Sequence, residues 1–160
     1  MILKRRRPHA FERDGDRTAI RLGDDERSML ANLAGQFRTL VADDADPDLR
    51  RLYPTAYPDD PKRDADYSGL VHEDLVSTRV AAADTVVATA NAVSLDSDQL
   101  AAWMQILNGL RLLLGTRLDI SEEDEFDPEA EDAPTRALLS WLGFLLEEAV
   151  VAAAADLDDA

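Results

Sequence analysis

The chain contains no cysteine, which excludes disulfides, zinc–thiolate sites, iron–sulfur clusters and thiol redox sensing. Imidazole is almost as scarce, with His9 and His72 alone. The glycines form no phosphate-cradling loop and no dinucleotide fingerprint, and no GxSxG turn is present. His72-Glu73-Asp74 lacks the second histidine of a zinc-protease helix. No Ser–His–Asp arrangement is indicated. These absences predict a protein that is not an enzyme and has no catalytic residues, no cofactor and no metal site.

Positive charge is also in short supply. Against 33 acids stand 17 basic residues, a formal net charge of −16. Such a charge keeps the chain soluble, repels free polyanions at long range and attracts basic surfaces. The 46 % hydrophobic content suits a globular protein, and 160 residues suit one domain with a sizeable core. No secretory signal is visible, because Met1-Ile2-Leu3 leads straight into Lys4-Arg5-Arg6-Arg7 with no apolar core following. A cytoplasmic protein is expected. The longest apolar run, Ala137 to Ala155, matches a membrane span in length, but Glu147 and Glu148 sit near its middle. It reads as a core helix.

The pattern along the chain predicts a mainly α fold, a bundle of about four main helices with a short N-terminal β-hairpin. Residues 1–8 form a basic arm, 9–155 a single helical domain and 156–160 an acidic tail. His9–Arg13 and Arg17–Leu22 read as strands around the turn Asp14-Gly15-Asp16. Leu30, Leu33, Phe37, Leu40 and Val41 define an amphipathic helix over 24–41. Leu49 to Pro54 suits one helical turn. Three prolines between 54 and 61 predict a surface loop reaching Asp66.

A long helix then begins near Ser68 or Glu73 and covers about 70–93, with Leu75, Ala82, Val86, Ala90, Val93 and Arg79 on one face. The next, over 97–118, opens with Asp96 and Gln99 at capping-box spacing. Its apolar positions place Arg111 in the middle of a broad hydrophobic face. Residues 119–132 carry nine acids in fourteen positions, a solvated loop or disordered segment by composition. The last helix, 134–154, starts at Pro134 and is apolar nearly all round. It therefore lies central in the core or is shared with a second copy of the chain, which predicts a homodimer.

Three groups of residues draw attention. Arg79 and Arg111 on apolar faces require acid partners, and Glu147 and Glu148 are the natural ones, with Asp84 a further option. This buried polar network is either a structural ion pair, an arginine stem snorkelling outward, or a pocket. Arg50, Arg51, Tyr53 and Tyr57 offer a partner surface between the first two long helices. Lys4, Arg5, Arg6 and Arg7 could grip nucleic-acid phosphates as a flexible arm, although four basic residues without aromatics also suit a solvated tail.

Several stretches together resemble one protein family. They are Asn32-Leu33-Ala34-Gly35, Leu49 to Pro54 with Tyr57, Arg79-Val80-Ala81-Ala82, Trp103 through Ile120 and Trp141-Leu142 with Glu147. The family is the actinobacterial domain of unknown function 2017, also named for the oxidative stress regulator AosR. The resemblance implies a small cytoplasmic helical protein that regulates stress-responsive transcription by contact with the transcription machinery, including sigma factors. Thiol sensing within the family needs an N-terminal cysteine pair, so that mechanism does not carry over. Two alternatives stand beside this reading: a DNA-binding regulator using the arm and hairpin, and an accessory of Clp-dependent proteostasis.

Overall fold

A computed structural model describes residues 9–118 and 127–158, with the side chains of 156–158 left aside. The expected basic arm, most of the acidic run and the end of the acidic tail lie outside the described residues. Two strands, β1 (Phe11–Asp14) and β2 (Arg17–Ile20), form the anticipated hairpin, with Gly15 at φ 63° where a side chain would be strained. Phe11 pairs with Ile20, so both apolar side chains face the core. A third strand, β3 (Ser94–Leu95), adds antiparallel to β2. The sequence had suggested only a link there.

Helix α1 (Asp24–Asp43) buries the predicted Leu30, Phe37 and Val41 together with Ala34, while Leu33 and Leu40 are partly buried. A short 3-10 helix, α2 (Pro47–Leu52), follows the break. The long helix α3 begins at Pro61 and ends at Thr89, which corrects the expected span at both ends. Pro61 starts the helix instead of preventing it. Proline at the first position loses no internal hydrogen bond, and Asp60 caps the turn by accepting from the Arg63 N–H at 3.1 Å. At the far end the chain leaves the helix to pair with β2. Val93 is consequently 82 % exposed and does not share the buried face of Ala82 and Val86.

Helix α4 (Ser97–Arg117) opens with the expected capping box, Asp96 accepting from the Gln99 N–H at 2.8 Å and Gln99 from the Asp96 N–H at 3.0 Å. It is the central element, touching α1, α2, α3 and the last helix. Trp103 is wholly buried, its ring edge-on to Phe11 and its indole N–H donating to Thr89 at 2.7 Å. Helix α5 (Ala133–Asp158) packs along α4 and β1 and continues past Ala155 into the expected tail. By length and composition, Ala133–Ala155 could cross a membrane. Its inner stripe of Leu142, Leu145, Ala149 and Ala152 is buried in the protein, while Phe144, Val150 and Val151 remain exposed. The helix is thus core on one side only.

The expected network of Arg79, Arg111, Glu147 and Glu148 does not assemble. Arg111 is exposed, as is Glu147. Glu148 lies 2.9 Å from His9 Nδ1 on the hairpin, and Asp84 takes Arg38 at 2.6 Å. The reason lies in α4 itself. Because it is apolar around most of its circumference, its neighbours select the buried side, and they bury Ile106, Leu110 and Leu113. That side is rotated by roughly a quarter turn from the face read off the wheel, leaving Arg111 on the rim.

Candidate functional site

The residues from α2 into the start of α3 build a cleft. Helix α1 ends at Asp44, held in the left-handed region at φ 55° with its N–H donating to Leu40 at 3.0 Å. Asp46 then caps α2 through the Asp48 N–H and accepts from Arg117 Nη2 at 2.8 Å, which ties the short helix to the end of α4. Both bonds favour the ionised acid, so the Asp46 carboxyl titrates below the usual carboxylate range, the backbone bond being the larger cause. Buried Leu49 and Leu52 anchor the helix to the core, and Tyr53 emerges at its end.

The chain next runs back along the first half of α3. Asp64 accepts from the N–H groups of Ala56 and Tyr57 at 2.8 and 3.0 Å. The Tyr57 ring meets Tyr67 edge-on and lies under the Arg63 guanidinium at 4.2 Å. Between this strap and α3 opens a cleft of about 560 Å³. Leu52, Tyr53 and Pro54 form one wall, and Tyr67, Val71 and Leu75 the other. Tyr67 and Leu75, which line the cleft, are exposed.

Three polar side chains meet inside. His72 Nε2 lies 2.6 Å from Asp44 Oδ2, and its ring rests against Tyr53 with centroids 4.4 Å apart. Arg79 lies over the Tyr53 ring at 4.8 Å and donates from Nη2 to the Leu52 carbonyl at 2.6 Å. Its Nη1 is buried without a hydrogen-bond partner, and so is the Tyr53 hydroxyl. Burial pushes the Tyr53 phenol above its ordinary value, Arg79 pulling it down and Asp44 adding to the rise. A phenol held neutral in this way is a hydrogen-bonding group and a poor base. The cleft is suited to seat an apolar segment whose acceptor reaches Arg79 and Tyr53.

Sequence reasoning had placed Tyr53 and Arg79 in separate groups, and the fold brings them together. Tyr57 flanks the same cleft. Arg50 and Arg51 are exposed elsewhere on α2, Arg50 lying 3.6 Å from Asp48. His72 and Asp44 were missed, because only the chain reversal after α1 places them side by side. Among the described residues no group of three or more His, Asp or Glu side chains is arranged to hold a metal ion.

Comparison with known proteins returns one finding. A family model described as a domain of unknown function (DUF2017) matches residues 8–153. No curated protein and no solved structure matches the chain.

Proposed function

The chain belongs to the DUF2017 family, and from that premise we propose that it is a non-enzymatic regulatory protein acting through protein–protein contact. The partner docks in the cleft between α2 and α3. One observation carries this reading: a guanidinium N–H and a phenol hydroxyl sit buried without partners in a cleft lined by exposed Tyr67 and Leu75. Buried polar atoms are normally satisfied, and an incoming acceptor flanked by apolar side chains would satisfy these. The apolar lining supplies area that is desolvated on docking.

The partner expected from the family resemblance is a component of the transcription machinery such as a sigma factor, met in the cytoplasm during a stress response. Leu75→Asp places a charge on the cleft wall at a solvent-exposed position. Val93→Asp places the same charge away from the cleft, at an exposed position beyond the end of α3. Affinity purification from native cells with mass spectrometry is expected to recover the same transcription component with the wild type and Val93→Asp, and to lose it with Leu75→Asp. Equal recovery with all three proteins would exclude docking at this cleft.

A further inference from the structure

A second site stands apart from the cleft, where α2, α4 and α5 meet. Among the described residues, two arginines make no hydrogen bond, ion pair or ring contact: Arg51 and Arg111. Every other described arginine has a partner. Arg13 and Arg136 are engaged, Arg17 holds Ser94, Arg21 holds Glu12, Arg27 holds four carbonyls and Arg38 holds Asp84. Arg50 is near Asp48, Arg63 lies on Tyr57, Arg79 holds Leu52 and Arg117 holds Asp46. In a chain with nearly twice as many acids as bases, two unpaired arginines are unexpected. Both line one notch of about 330 Å³, together with Leu112, Leu139, Ser140 and Gly143.

Glycines let the two side chains lie close to the helices. Arg51 Nη1 is 3.5 Å from where a side chain on Gly115 would begin, and Arg111 Cδ is 3.7 Å from the same point on Gly143. Arg111 and Gly115 are one turn apart on the same face of α4, so the Arg51 guanidinium rests about one turn along the helix from the Arg111 backbone. Two arginine side chains thus border one notch that Ser140 also lines.

We infer that this notch binds a small tetrahedral oxyanion of the phosphate type, either free or as a phosphate monoester. A tetrahedral anion has enough oxygens to accept from two guanidinium groups and a hydroxyl at once, whereas a carboxylate has only two. Polymeric phosphates are disfavoured because the whole chain, at −16, repels them over distances that a small ion crosses under salt screening. Leu112 and Leu139 give the group attached to a monoester an apolar seat.

The test is a titration of the full chain, in chloride buffer, with inorganic phosphate, adenosine monophosphate, acetate and a short DNA duplex. Binding is read by calorimetry and by the side-chain N–H resonances of Arg51 and Arg111. Phosphate or the monophosphate is expected to saturate and to shift both arginine signals. Tighter binding of the monophosphate identifies an ester as the source, and equal binding identifies the free anion. Arg51→Gln and Arg111→Gln, both at exposed positions, should each weaken binding about tenfold, the loss of one charge-assisted contact. Gly143→Leu, which keeps both charges but fills the notch, should weaken it as well. Undiminished binding in these variants, acetate as tight as phosphate, preferential binding of the duplex, or no saturation by either phosphate compound would overturn the assignment. None of these outcomes bears on the α2–α3 cleft.

Discussion

Tyr53 shows how one side chain links packing to recognition. Its ring contacts both His72 and Arg79, yet its hydroxyl reaches no acceptor. A buried unsatisfied hydroxyl costs on the order of 1 kcal/mol or more, so Tyr53→Phe is expected to leave the isolated protein as stable or slightly more stable near neutral pH. The alkaline behaviour follows from the raised phenol. The unfolded chain releases this proton near pH 10, while the folded protein retains it to higher pH. Stability is therefore unaffected below pH 10 and falls as pH rises from there through the folded value. Denaturant midpoints of the wild type and Tyr53→Phe should diverge only above about pH 10, with the variant losing less. Parallel curves would show that the phenol is solvated in the folded state.

At the scale of elements, the approach of α1 to α4 depends on one glycine. A side chain at Gly109 would begin 2.7 Å from Phe37 Cζ and 3.0 Å from Cε2, and Phe37 is itself wholly buried. Gly109→Ala gains about 1 kcal/mol of intrinsic helix propensity, but overpacking at such a contact typically costs about 1–3 kcal/mol. Repulsion is expected to win because the opposing ring is enclosed by the core. The variant should be destabilised by about 1 kcal/mol net, measured by urea unfolding. Phe37→Leu in the same background should recover part of the loss by clearing the ring. A stabilised Gly109→Ala would mean that α1 shifts freely across α4.

For the whole molecule, the outer side of α5 leaves Phe144, Val150 and Val151 exposed. Exposed apolar side chains on one helix favour burial against another surface, and a second copy of the chain is the occupant proposed for this one. Sedimentation at rising protein concentration is expected to show a dimer, and Val151→Asp to return it to the monomer. Charge acts against this association, since two copies at −16 repel each other. The dimer should strengthen as salt increases. A wild type that stays monomeric at high concentration and high salt would refute the assignment.

Local patterns were sufficient to locate much of this fold. The capping box at Asp96 and Gln99, the turn at Gly15 and the apolar spacing of Leu30, Phe37 and Val41 each act within one turn or one hairpin. Where an element's own residues left a choice open, tertiary contacts made it. Pro61 begins α3 because Asp60 caps the turn there, and β3 forms because β2 has an edge to pair. Arg27, unremarkable in a string of polar residues, joins the carbonyls of Ile20, Leu22, Ala90 and Ala92. Arg111 was read as buried because an apolar helix hides which side its neighbours will cover. The same limit concealed both candidate sites. Tyr53, His72 and Arg79 converge only after the chain doubles back, and Arg51 comes to line the same notch as Arg111 only when α2 is laid against α4. Short-range propensity acts through neighbours in sequence; these side chains became neighbours through packing.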